Sequence, residues 1–159
     1  MNQRAIHLSK RIEAFRDDVV AFVESLSDGD WKKKCEWEQW TVGVSARHLG
    51  AGHLAISGML DRIVKGEPLP QLTMDQINAK SNKDARLHMN CTKAEALELI
   101  TKNGDQLTTF VAALSDDDLD RKGSMPAFGG EITTAQLIEY VIFKSGNRHF
   151  DKMKSSVFS

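Results

Sequence analysis

The sequence predicts an all-α protein, a four-helix bundle with a long crossover between its second and third helices. Three observations carry this. Four long segments, near 3–26, 41–65, 92–114 and 133–154, repeat apolar residues at spacings of three and four, the period of a helix with one buried face. Capping-box patterns at Thr73-x-x-Gln76, Thr92-x-x-Glu95, Ser115-x-x-Asp118 and Thr133-x-x-Gln136 mark helix starts, each pairing an N-cap hydroxyl with a side chain that reaches back to it. No apolar/polar alternation is long enough for a strand, so no sheet is expected.

The first helix rests on Ile12, Phe15, Val19, Phe22, Val23 and Leu26, and Ser27-Asp28-Gly29-Asp30 ends it. The second begins at Thr41, an N-cap residue, and runs to about Lys65, where Gly66, Pro68 and Pro70 stop it. Thr73 opens a polar helix near 74–88. The third long helix, 92–114, carries Leu97, Ile100, Leu107, Val111 and Leu114 on one face. Ser115 starts a short turn, and Thr133 opens the last helix. The link 66–91 can run the length of a bundle, which would make the second and third helices parallel. Four helices with one apolar face each close a core most simply as a bundle, here one domain over 1–159.

The 159 residues are 41% hydrophobic and 27% charged, the balance of a soluble globular chain. A net charge of -1 argues against a nucleic-acid surface, which needs a basic patch. The triplet Lys32-Lys33-Lys34 is followed by Glu36 and Glu38 and reads as a solvated turn. The start of the chain has no apolar signal-peptide core, and no run is long enough to span a membrane. Two cysteines, Cys35 and Cys91, form no Cys-x-x-Cys pair and fit a reducing, cytoplasmic setting.

The segment TVGVSARHLGAGH (41–53) holds two histidines and three glycines at the start of the second helix. At about 100° per residue, His48 falls inside the apolar arc with Val44, Leu49, Ile56 and Ile63, and His53 lies about 140° away. His48 is therefore taken as the inward group and His53 as a rim or interface residue. Gly50 and Gly52 each cost about 1 kcal/mol in a helix interior, which a close helix or ligand would explain. In the last helix Ser145 and His149, four apart, sit one above the other on the apolar stripe. His48 near a helix start and His149 near a helix end meet if those helices run antiparallel, and two inward imidazoles in a bundle core suit a divalent metal such as zinc or nickel. The plain alternative is that each is a core histidine hydrogen-bonded to a neighbour. His7 and His88 read as surface residues.

Trp31, Trp37 and Trp40 cluster with Cys35 in the first loop, either as the wall of a ligand pocket or as a plug for the bundle end. Cys35 has no activating partner beyond nearby lysines and reads as a packing or surface residue. Segment 122–132, KGSMPAFGGEI, is either a mobile lid bearing Met125 and Phe128 or an ordinary connection. Asp116, Asp117 and Asp118 are helix-start carboxylates.

Trp40-Thr41-Val42 followed by His48 resembles the opening of the second helix in the DinB/YfiT-like superfamily, which includes N-terminal domains of the mycothiol-dependent maleylpyruvate isomerase type. ITTAQLIEYVIFKSGNRHFDKM (132–153) resembles its last helix, which carries His-x-x-x-His or Glu-x-x-x-His. The resemblance covers nearly the whole chain. It implies a bundle with an unusual crossover, a homodimer, and a metal site with one ligand from the second helix and two from the last. His48 and His149 match the outer ligands. Ser145 stands where the family pattern has histidine or a carboxylate, and a hydroxyl is the poorer ligand. The resemblance further implies a divalent metal, zinc or nickel, a low-molecular-weight thiol as co-substrate, and thiol-transferase, isomerase or hydrolase chemistry on a small molecule in stress or detoxification. The alternative is a metal-free small-molecule binder or dimeric interaction module on the same bundle.

Overall fold

The computed structural model describes residues 2–35 and 40–158. Its long helices are α1 (Gln3–Glu24), α3 (Val42–Lys65), α5 (Lys93–Ala112) and a continuous last helix. The last helix is α7 (Thr134–Ile138), a π-helical stretch Glu139–Ser145, and α8 (Gly146–Phe158). Three shorter helices join them: α2 (Asp28–Trp31), α4 (Met74–Leu87) in the crossover, and α6 (Asp116–Asp120). Each of the capping boxes read from the sequence is formed, with both reciprocal hydrogen bonds present at Thr73/Gln76, Thr92/Glu95, Ser115/Asp118 and Thr133/Gln136. Ser27, read only as part of a stop signal, also caps α2 in a box with Asp30.

Cross-helix bonds set the directions. The Ser9 hydroxyl donates to the Thr108 carbonyl (2.8 Å), and the Lys93 ammonium donates to the Leu26 carbonyl, so α1 and α5 run antiparallel. Trp31 lies under Gly43 at the start of α3, and its indole N–H donates to the Cys91 carbonyl just before α5 (3.0 Å). α3 and α5 therefore start at the same end and run parallel, as the long crossover predicted. Gly123, just ahead of the last helix, packs on Ile63 near the far end of α3, so the last helix returns antiparallel to α3.

The main core cluster spans all four long helices, with Ile12, Ile56, Leu60, Ile100, Leu107, Ile138 and Met153 among its fully buried members, and Trp40, Val44 and Ala85 form a second, small one. At its centre α3 and α5 approach so closely that a Cβ on Gly50 would lie 3.0 Å from the Ile100 backbone. The buried Asn103 side chain donates to the Gly50 carbonyl there (3.0 Å). Gly52 faces open space instead. The two glycines thus separate, one for a close helix and one beside a cavity.

The expectation of no sheet is corrected. β1 (Lys122–Met125) and β2 (Gly130–Thr133) pair antiparallel, with Gly123 opposite Ile132 and Met125 opposite Gly130. Strands of four residues are too short to display alternation. The turn between them is Pro126–Phe128 followed by Gly129 and Gly130, whose φ of 79° and 112° favour glycine. Met125 is buried in the core, so the segment is an anchored hairpin and not a free lid. The regular last helix expected over 133–154 is corrected too. Around Glu139–Ser145 it widens into π geometry, with the Gly146 amide reaching the Val141 carbonyl five residues back.

Gly52→Ala is expected to raise stability by about 1 kcal/mol, the helix-propensity gain at an uncrowded site. Gly50→Ala is expected to lower it by about 1–3 kcal/mol, because the Ile100 backbone cannot yield to the new methyl. Thermal unfolding of the two variants checks this pairing, and shifts of the same sign would contradict it.

Candidate functional site

The loop before α3 is fixed by two backbone bonds, Cys35 N–H to the Trp40 carbonyl (2.7 Å) and Val42 N–H to the Lys33 carbonyl (2.8 Å). Thr41 caps α3 by accepting from the Val44 amide (3.1 Å). Trp40 is thereby buried at the helix start, and its indole N–H donates to the Asn82 side-chain oxygen on α4 (3.0 Å). Arg47 on α3 pairs with Asp84 on α4 (2.9 Å), a second tie between the crossover helix and this end of the bundle.

Trp40 meets both histidines. Its ring stacks on His149 at 5.8 Å between centroids with a 3° interplanar angle, and meets His48 edge-on at 4.9 Å. The His48 and His149 rings lie 4.8 Å apart at 63°. The structure therefore brings together the two histidines singled out from the sequence, and Ser145 lines the same space. Inside the pair is a cavity of about 50 Å³ bounded by Phe15 and His53. Outside it is one of about 200 Å³ walled by Trp40, Met59, Ile77, Phe128 and Tyr140. Gly52 borders both.

Burial holds these imidazoles neutral. The His149 pKa is pushed down to about 3 by burial, then by the neighbouring His48 and Arg148. Burial also lowers His48, against the opposing pull of Asp84. His53 is pushed down to about 4 by burial and by Arg16. Neutral imidazole is the form that binds a metal.

His53 is a correction to the sequence reading. It was placed at a rim or interface, yet it is 3% exposed, and its Nδ1 is buried with no hydrogen-bond partner. Helix α3 is covered on two sides, by α5 as well as by the last helix, and Phe15 of α1 reaches across the core to 6.5 Å from the His53 ring, centroid to centroid. The buried arc is therefore wider than a single stripe. The spacing Leu49, His53, Ile56, Leu60 carried that signal.

The tryptophan alternatives divide. Trp31 packs under Gly43 as a structural plug, whereas Trp40 walls the cavity. Trp37 lies outside the described residues, as do Glu36 and Glu38. Cys35 is buried with its sulfur 3.6 Å from the Ser45 hydroxyl, a packing role. His7 is exposed, and half-buried His88 bonds through Nδ1 to the Asp84 carbonyl (2.9 Å).

With Zn–N near 2.0–2.1 Å and a tetrahedral angle, two imidazoles sharing one ion place their ring centroids about 5 Å apart. The 4.8 Å observed is compatible with that separation. Among the described residues, no set of three His, Cys, Asp or Glu side chains is grouped to hold a metal. The donor set is two imidazoles with the Ser145 hydroxyl nearby, which fits a divalent ion held weakly.

Residues 12–142 match the family described as the mycothiol maleylpyruvate isomerase N-terminal domain. The chain belongs to this family. The match takes in His48 and stops short of Ser145 and His149. The fold is also similar to YfiT from Bacillus subtilis, described as "a probable metal-dependent hydrolase with an unusual four-helix bundle topology". That likeness has a TM-score of 0.72 at 18% identity, over 96% of this chain and 83% of the other, and at that identity it speaks for the fold. No curated protein matches the chain. No helix among the described residues is long and apolar enough to cross a membrane.

A histidine whose folded pKa lies below its unfolded value near 6.5 takes up its proton only in the unfolded chain as pH falls. Its contribution is full above about pH 6.5 and declines toward pH 4, by about 1.4 kcal/mol per pH unit for each such group. The melting temperature is therefore expected to drop between pH 7 and pH 4.5. His53→Leu should make that drop shallower without lowering the melting temperature at pH 7, since it removes an unpartnered buried nitrogen. Melts across this pH range check both, and an unchanged slope would contradict the burial of a neutral His53.

Proposed function

We propose that the chain is a divalent-metal-dependent enzyme of the thiol-transferase, isomerase or hydrolase kind, acting on a small and largely apolar molecule. The observation that supports it most is the meeting of His48 and His149 at 4.8 Å, both neutral, on the wall of a 200 Å³ cavity. The family match and the printed description of YfiT point the same way.

His48 and His149 are the residues that would hold the ion, with Ser145 beside them. An ion there would supply Lewis acidity that lowers the pKa of a bound thiol or water. The chain's own residues do the rest. Trp40, anchored by Asn82, fixes the planes of both imidazoles and keeps water from their faces. The Ser145 hydroxyl can donate to a substrate oxygen at the cavity wall. Met59, Ile77 and Phe128 present an apolar surface to the substrate body. A low-molecular-weight thiol as co-substrate, a cytoplasmic setting and a homodimeric assembly belong to the same proposal. Free cysteines at positions 35 and 91 are in keeping with a reducing compartment.

A second reading, a metal-free small-molecule binder on the same site, is favoured by one observation: a hydroxyl stands at position 145 where a stronger third ligand would complete the set. Zinc and nickel titrations by calorimetry separate the two. Wild type is expected to bind one ion weakly, His48→Ala and His149→Ala to lose it, and Ser145→His to bind at least about tenfold tighter, roughly 1.4 kcal/mol. Indifference of the affinity to all three changes would remove the metal reading in favour of the second.

A further inference from the structure

His53 has no part in the chemistry described so far. It stands in the buried row Leu49, His53, Ile56, Leu60 of α3 and is 3% exposed. Among the described residues, its Nδ1 is the one sealed side-chain nitrogen or oxygen without a partner. Nε2 makes no hydrogen bond either, yet it is not sealed, and the space open to the ring is the inner cavity of about 50 Å³. Buried polar groups are as a rule hydrogen-bonded, so an imidazole that gives up one nitrogen to the core is accounted for when the other has a partner to bind.

The inner cavity has the form of a small chamber. Phe15, Leu49 and Ile142 are apolar walls, and the polar groups on it are His53, Ser145 and the His48–His149 pair. His48, Gly52, Val141, Ser145 and His149 also border the outer cavity of about 200 Å³, so the two adjoin along them. A Cβ on Gly52 would meet nothing within 4 Å, so α3 puts no side chain between them there. At roughly 10–15 Å³ for each water-sized group, the chamber admits about two or three heavy atoms. The outer cavity is larger than the ~150 Å³ that suffices for a benzene ring. It has the rings of Trp40, Phe128 and Tyr140 on its wall, with Asn78 and Arg148 at its border.

We propose that the inner chamber is the subsite for a short hydroxyl-bearing arm of a ring-sized substrate, bound by Nε2 of His53 while the ring lies in the outer cavity. The proposal rests on the outer cavity being the substrate site, and deepens that reading by naming the substrate's size and polar group; it does not rest on the metal. A neutral imidazole has one N–H and one lone pair, whereas a hydroxyl both donates and accepts. A hydroxyl therefore satisfies Nε2 in either tautomer, and the Ser145 hydroxyl on the same chamber offers a second bond of either sense. An ethyl arm of equal size leaves Nε2 unpartnered, and a site built to bind a hydroxyl rejects the analogue that lacks it. His53 is thus a specificity-determining residue, and Gly52 is the opening through which the arm enters.

The test titrates the full chain, with a chelator present, with benzyl alcohol and with ethylbenzene, whose CH₂OH and CH₂CH₃ arms match in size. Amide and histidine side-chain signals are followed by NMR. Ethylbenzene is the more hydrophobic probe for every variant, so the readout is the ratio of the two affinities relative to wild type. His53→Leu is expected to shift that ratio about tenfold toward ethylbenzene, the loss of one hydrogen bond. His53→Gln, whose amide reaches the place of Nε2, is expected to keep the wild-type ratio. His53→Asn, whose amide reaches only the place of Nδ1, is expected to behave as His53→Leu. Gly52→Val should remove the benzyl alcohol shift at the His53 ring. An unchanged ratio in His53→Leu, alcohol binding that leaves the His53 signals in place, or no binding of either probe would overturn the proposal. Zinc titrations of the His53 variants are expected to match wild type. The expected ratios in a protein that takes up no zinc would sink the metal reading and uphold this one. Zinc binding beside an unchanged ratio would do the reverse.

Discussion

Where α5 crosses α3, the Asn103 side chain donates to the Gly50 carbonyl from a fully buried position, and only a bare Cα lets the backbones come that close. Much of the architecture follows from this contact. It sits in the interface between two parallel helices, and parallel neighbours require a connection that travels back the length of the bundle. That connection carries α4, and α4 becomes the outer wall of the cavity. Trp40–Asn82 and Arg47–Asp84 tie it to the same end of α3 that holds His48. With α3 and α5 parallel, the last helix returns antiparallel to α3, and its C-terminal half delivers His149 to His48.

The site is a polar centre at one end of an apolar bundle, and its chemistry is set by desolvation. Three imidazoles are kept neutral because the charged forms would lose their hydration. Neutrality is what a metal ligand requires, but the same burial leaves His53 Nδ1 without a partner at a cost of about 1–3 kcal/mol. A stability penalty carried beside a cavity is common where function and packing compete. The π-helical stretch ending at Ser145 belongs to the same region, and wide helical turns often lie at functional sites.

The helices and their starts were legible in the sequence. Periodic apolar residues, the Thr41 cap and the capping boxes act locally, within one turn of chain, and each formed where it was read. The shared face of Ser145 and His149 was legible for the same reason, since it follows from helical geometry alone, whereas His48, read as the inward histidine, is only half-buried and His53 is the deeper of the two. The β1–β2 hairpin was not, because four-residue strands carry too few positions to show a period. His53 was misplaced because an arc drawn from one helix does not reveal how many neighbours cover it.

The sequence by itself determined four amphipathic helices, a crossover long enough to permit parallel neighbours, and two histidines that would meet if the last helix ran antiparallel to the second. Tertiary structure alone decided that they do meet, that Trp40 stacks between them and α4, and that His53 is buried behind them. The division has one physical cause. Capping and periodicity are interactions over a few residues of chain, whereas a cavity is the space left by elements far apart in sequence, and its shape and charge exist only once they have packed.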